Sequence, residues 1–231
     1  MAAQLEHFDL TDKRCVVFAA DKPAGASIAT AFAEAGATLV QLDTVPAASV
    51  GQTVTAAIES LGGIDVLVWA SDLFLAKPFV DVAPGDIGEV MMGNFASAFN
   101  AAQSAVAKML EQGGGGNIVL VTHVLGERGL PNTTVYSAAH GAVHNLVRAL
   151  AQEVAPSHIS VNAIALGWMD WMSDRLDEND PEAARAVRFT MAKRAGDGQD
   201  LGPMAVWLAG SGVGFVTGQI FPLDGGLTQH L

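Results

Sequence analysis

The stretch RCVVFAADKPAGASIATAFAEAGATLVQLD, residues 14–43, carries the first decision about this chain. Its opening RCVVFAA, 14–20, is short, apolar and rich in β-branched residues, the signature of a strand buried on both faces. From Ser27 to Ala35 the apolar positions Ile28, Ala31, Phe32 and Ala35 fall on one stripe of a helix, and Gly36 stands where a helix C-terminus wants a glycine. ATLVQLD, 37–43, returns to the strand pattern. A strand, a tight turn, a helix and a second strand make a βαβ unit, which demands a parallel sheet with a right-handed crossover.

The alternation continues outward from that unit. A helix is expected over Thr53 to Leu61, a strand at DVLVWA, 65–70, and a long helix from Asp86 to Glu111. The glycines 113–116 then break the chain before the strand NIVLVT. A helix from Tyr136 to Val154, a strand ISVNAIA at 159–165, a variable lobe at 168–195, a helix near 200–209 and a last strand near 219–223 complete the pattern. The expectation is an α/β fold, one doubly wound parallel sheet in a single domain over 1–231, with no linker and no internal repeat.

Composition excludes several classes of function. Lys and Arg number 12 against 24 Asp and Glu, a net charge of -12 that repels phosphate backbones and anionic lipid. Neither nucleic acid nor a membrane is an expected partner. No apolar run reaches the ~20 residues that cross a bilayer, and MAAQLEHFDL lacks the basic start and apolar core of a signal peptide. A single cysteine, Cys15, permits no internal disulfide, so a cytoplasmic location is expected. Only 16% of residues are charged while 50% are hydrophobic, a balance that points to subunit contacts.

Several blocks resemble, in order and spacing, the short-chain dehydrogenase/reductase family, a Rossmann-like fold. They are AFAEAGA at 31–37, DVLV at 65–68, Asn94 on the long helix, GNIVLVT at 116–122, Tyr136, VNAIALG at 161–167 and TGQIFPLDGG at 217–226. The resemblance spans nearly the whole chain. It implies hydride transfer between a nicotinamide dinucleotide and a carbonyl or alcohol, with a tyrosine as proton donor, a lysine four residues on, a serine thirteen residues before and a helix asparagine.

Of these parts the chain retains Tyr136 and Asn94, while His140 stands at the lysine position and His123 at the serine position. A tyrosine whose reference pKa is near 10 needs about 4 kcal/mol of anion stabilisation to exchange its proton freely at neutral pH. A lysine cation supplies much of that, whereas a buried histidine tends to lose its proton. An imidazole is also bulkier than a hydroxyl and, when neutral, donates from one nitrogen only. Thr122 beside it should point to the opposite face of its strand.

The family's dinucleotide turn, TGxxxGxG, reads FAADKPAG at 18–25, and only Gly25 survives. Ala19 and Pro23 replace the first two glycines, Pro23 removes a backbone donor, and Asp21 brings negative charge toward the place of the phosphates unless Lys22 compensates. Asp43, at the end of the second strand, could grip ribose hydroxyls or serve as an ordinary turn residue. The span from Asp43 to Asp65 has room for one helix, so the family's third strand and its helix are expected to be missing. NNAG of the family reads WASD at 69–72, where Trp69 would fill space behind the cofactor site. Leu166 and Trp171 also depart from the pattern beside the cofactor. Trp168, Met169, Trp171 and Met172 open the lobe as packing or as an apolar pocket.

The losses fall on cofactor and proton-relay positions while the scaffold persists. The expectation is a catalytically silent subunit, without bound cofactor or metal, in which Tyr136, Asn94, His123 and His140 are vestigial. Its expected partner is an active homologous short-chain dehydrogenase subunit, in a hetero-oligomer of tetrameric type, through the helices at 86–111 and 136–154 and the last strand. The plan resembles hydroxyacyl-CoA dehydrogenases of aromatic degradation such as hydroxybenzylsuccinyl-CoA dehydrogenase. Against it stands a nicotinamide-independent enzyme in which Tyr136 does acid/base chemistry with His123 or His140. The spacing of His140 and His144 could seat a metal, but no HExxH motif or cysteine cluster accompanies it. No GxSxG elbow supports a hydrolase, and the halohydrin dehalogenase pattern, serine and tyrosine with arginine, is not matched.

Overall fold

The computed structural model describes residues 6–175 and 187–229. Its elements follow the expected alternation: β1 Arg14–Phe18, α1 Pro23–Glu34, β2 Thr38–Leu42, α2 Ala47–Leu61, β3 Val66–Trp69, α3 Pro84–Val90, α4 Ser97–Gln112, β4 Gly116–His123, α5 Thr134–Val154, β5 Ile159–Leu166, α6 Gly198–Ala209 and β6 Ile220–Leu223. The six strands form one parallel sheet in the order β2-β1-β3-β4-β5-β6.

Alternate residues of each strand feed two cores. Val16 and Phe18 of β1 face α2, α4 and α5, together with Leu67, Ile118 and Leu120. Cys15 and Val17 face α1 and α6, together with Val66, Val68, Val119 and Val121. Strands covered on both faces have no solvent side, so they read as continuous apolar runs and not as an alternation.

The crossing from β1 on one side to β3 on the other marks the sheet's switch point, above which ligands of such folds bind. β2 is the outermost strand on its side, joined to β3 by α2 alone. The doubly wound order has a further strand on that edge, and the expected loss of the third strand agrees with what is observed.

Three boundaries differ from expectation. α1 begins at Pro23, because proline at the first turn has no hydrogen bond to lose and arrives with a helical φ. α2 begins at Ala47, with Pro46 at its N-cap in an extended conformation, and not at Thr53. The helix expected over 86–111 is divided: a wide π turn, Met91–Ala96, separates α3 from α4 and carries Asn94. Such insertions occur where a side chain must be re-aimed. Gly36, Gly62 and Gly113 end α1, α2 and α4 with φ of +88°, +68° and +69°, which side-chain-bearing residues resist. In the lobe expected at 168–195, Asp170–Arg175 forms 3₁₀ turns, and 176–186 lie outside the described residues. No described helix is long and apolar enough to cross a membrane.

Candidate functional site

The ends of β3 and β4 and the first turns of α5 bring the sequence candidates together. Tyr136, His140 and His144 follow one another by single turns along α5, and each faces the sheet. Tyr136 is 0% exposed, and the two histidines are 1% exposed. The Tyr136 ring meets His140 edge-on at 4.4 Å between centroids, His123 at 5.5 Å and Phe74 at 5.1 Å.

His123 closes β4 in extended geometry and its Nδ1 accepts the Leu125 N–H at 3.1 Å. Thr122 does point to the other face, as its strand requires, but that is the face α5 covers. Its Oγ1 therefore bonds His140 Nδ1 at 2.8 Å and joins the cluster, where the sequence reading left it outside. Asn94, fully buried on its π turn, accepts the Leu73 N–H at 2.8 Å and donates to the Leu73 carbonyl at 2.9 Å. Both ends of its amide are thus committed to the backbone beside Asp72.

The residue at the centre is Asp72. The Tyr136 hydroxyl donates to its Oδ1 at 2.7 Å, His140 Nε2 lies 3.4 Å from the same oxygen, and Arg175 Nη2 pairs with Oδ2. Arg175 also approaches the Tyr136 hydroxyl at 3.4 Å and sets its guanidinium over the Phe74 ring, 4.9 Å from the centroid. Neither Asp72 nor Arg175 was singled out from sequence. Asp72 did leave a signal, an acid where the NNAG pattern ends in glycine; Arg175 lies in the variable lobe with none.

The electrostatics follow from that arrangement. Burial alone would raise the Asp72 carboxyl, but His140 and Arg175 hold it well below the usual carboxylate range. Burial and the neighbouring Asp72 charge push Tyr136 well above 10, although Arg175 opposes them. Burial would lower Arg175, but Asp72 outweighs it and the guanidinium is held above its ordinary value. Burial pushes His123 down to about 3 against the pull of Asp72. At neutral pH the cluster is an Asp⁻–Arg⁺ pair beside a protonated tyrosine and an uncharged His123. His144, with neither ring nitrogen hydrogen-bonded and Glu127 Oε1 4.0 Å away, is pushed by burial to about 4.

The β1–α1 turn retains one glycine of the family pattern, Gly25. Ala19 adopts φ +66° itself, and Gly25 packs so closely that a Cβ there would lie 2.1 Å from the Ala19 carbonyl oxygen. Asp21 does not lie loose against the helix start. Its carboxylate accepts the Thr44 N–H at 2.7 Å and the Thr44 hydroxyl at 2.6 Å, and pairs with Lys22 at 2.9 Å. Burial would raise this carboxyl, but those bonds bring it down to about 2. The turn after β1 is thereby tied to the loop after β2. Asp43 is exposed. Trp69 is wholly buried and donates to Ser97 Oγ at 2.7 Å, the space-filling role expected of it. Met169 and Met172 are buried against the α1/α6 core, with Trp168 and Trp171 half-buried beside them. Among the described residues, no three His, Cys, Asp or Glu side chains converge as a metal site.

This fold, with a tyrosine on α5 over the ends of the central strands, defines a class, and comparison with known proteins agrees. A family model described as enoyl-(acyl carrier protein) reductase matches residues 6–228. The chain belongs to the short-chain dehydrogenase/reductase family. An uncharacterized oxidoreductase of Escherichia coli (strain K12) is 33% identical over 171 residues, 73% of this chain and 66% of its own length. The L-2,3-butanediol dehydrogenase of Corynebacterium glutamicum is 30% identical over 211 residues, 86% of this chain and 81% of its own. Among solved structures, a gluconate 5-dehydrogenase from Burkholderia cenocepacia J2315, in complex with NADP and tartrate, superposes with a TM-score of 0.90 at 27% identity, covering 99% of this chain and 100% of that one.

Proposed function

We propose that this chain is a short-chain dehydrogenase/reductase subunit that does not itself transfer hydride and acts beside an active homologous subunit. One observation carries the reading: the Tyr136 hydroxyl, which in a working member would face a substrate oxygen, donates instead to the Asp72 carboxylate, and Arg175 closes over that carboxylate. A phenol beside a permanent anion gives up its proton less readily, not more. The lysine of the family pattern is replaced by histidine at position 140.

The nucleotide side supports the same reading. The residues present do not fit a dinucleotide. Pro23 offers no N–H at the start of α1, where a pyrophosphate would need donors. The Asp21–Thr44 bonds tie the first turn to the loop after β2 and leave the Asp21 carboxylate committed to Thr44 and Lys22. No step through a nicotinamide is therefore derived for this chain. The activities of relatives, such as L-2,3-butanediol dehydrogenase, describe the class of reaction the partner subunit would run. Phe99 and Leu110, half-exposed on α4, supply apolar surface for such a partner; a hydroxyacyl-CoA dehydrogenase of aromatic degradation is one complex of this plan. Acid/base chemistry by Tyr136 with His123 or His140 draws less support, since Asp72 holds the proton of one and burial keeps the next uncharged.

Titration of the purified chain with NADH and NADPH, followed by nicotinamide fluorescence, should show no saturable binding. Micromolar affinity for either would overturn the reading. Co-expression with a complete homologous dehydrogenase should give a complex that survives size exclusion, with nucleotide bound only by the partner.

A further inference from the structure

Asp72 is placed as a ligand would be. One carboxylate oxygen sits 2.7 Å from the Tyr136 hydroxyl and 3.4 Å from His140 Nε2, a buried atom with no hydrogen-bond partner of its own. The other oxygen takes the Arg175 guanidinium. A phenol on one oxygen and a guanidinium on the other is how a protein grips a bound carboxylate. Here the carboxylate belongs to the chain, at a position where the sequence pattern ends in glycine.

Arg175 reaches Asp72 from the 3₁₀ turns Asp170–Arg175, which lie over the site. The same turns are pinned from below by Met169 and Met172, each 1% exposed. At their far end the Asp72 pair and the Phe74 ring are the described contacts of the guanidinium, apart from the Tyr136 hydroxyl. The turns are therefore held shut at one end by packing and at the other by charge.

We propose that Asp72 is a built-in carboxylate ligand of the Tyr136–His140–Arg175 site, a contact that locks Asp170–Arg175 over Tyr136; the same three side chains, freed of Asp72, take up a small monocarboxylate. The inference stands apart from the nucleotide reading, because it concerns only what fills the tyrosine pocket and would hold even if NADH bound elsewhere.

The test uses the full chain and hydrogen exchange read by mass spectrometry. Asp72→Asn keeps the shape and removes the charge. It should speed exchange of the 170–175 amides about a hundredfold, since one partner of a largely buried pair is lost, while β4 and α5 stay as protected as before. Asp72→Gly empties the pocket; sodium formate, but not sodium chloride at equal ionic strength, should then slow the same amides at least about tenfold. Adding Arg175→Ala to Asp72→Gly should abolish the formate effect. Unchanged exchange in Asp72→Asn overturns the proposal, as does formate acting no better than chloride. If Asp72→Gly does not fold, the Asp72→Asn measurement decides the question alone.

Discussion

Acidification offers a quantitative check on the buried site. His123 is uncharged in the folded protein because burial pushes it down to about 3 from 6.5. Above pH 6.5 both folded and unfolded chains are neutral at this ring, and its contribution to stability is intact. Below 6.5 the unfolded chain binds a proton that the folded site refuses, so stability falls with pH until the folded ring titrates near 3. At pH 5 the unfolded ring is 1.5 pH units below its own midpoint, and at about 1.4 kcal/mol per unit the loss is roughly 2 kcal/mol. The figure depends little on the folded value so long as that lies well under 5. Asp72 does not enter this window. Its carboxyl is depressed, so its stabilisation is whole above the ordinary carboxylate range and is lost only as pH falls beneath it. His144, at about 4 in the folded state, acts in the same direction as His123 and is present in both proteins compared. The assay is equilibrium urea unfolding of wild type and His123→Ser at pH 7.5 and 5.0. The variant should lose about 2 kcal/mol less on acidification. A difference under about 0.5 kcal/mol, or a His123 ring resonance that titrates near pH 6.5, would refute the account.

Other consequences are cheaper to test. Tyr136→Phe removes one donor from Asp72 and should cost about 1–2 kcal/mol in urea unfolding, yet leave the activity of a co-expressed complex unchanged; a fall of about a hundredfold would favour acid/base chemistry at this tyrosine. Gly25→Ala should lower stability by about 2 kcal/mol or more, read as a fall in Tm, because its Cβ would lie 2.1 Å from the Ala19 carbonyl oxygen and both partners are backbone-bound. Ala19→Gly should raise stability by about 0.5 kcal/mol in the same assay, since relief of the left-handed φ exceeds the added freedom of the unfolded chain. Trp69→Phe should cost about 1–3 kcal/mol through the Ser97 hydroxyl it strands in the core, with no effect on oligomeric state.

Much of the site was legible because helical spacing and strand register are local. The step of four from Tyr136 to His140 puts both on one face of α5 wherever that helix docks, and the end of β4 could be counted to His123. Thr122 was misplaced because strand parity tells which face a side chain takes but not which helix lies over that face. The turn at 18–25 shows another limit. Counting glycines did not tell how the turn would close: Ala19 takes the left-handed conformation itself, at a cost the close packing of Gly25 and the Asp21–Thr44 bonds can offset.

The order of strands and helices, the missing edge strand and the family were decided by the sequence alone, since apolar periodicity and chain length between elements are properties a short window carries. What occupies the tyrosine pocket was decided only by the tertiary structure. Asp72 and Arg175 are 103 residues apart in the chain, and their charges meet because the lobe folds back over the end of β3. No local pattern encodes a contact between two residues that share no element.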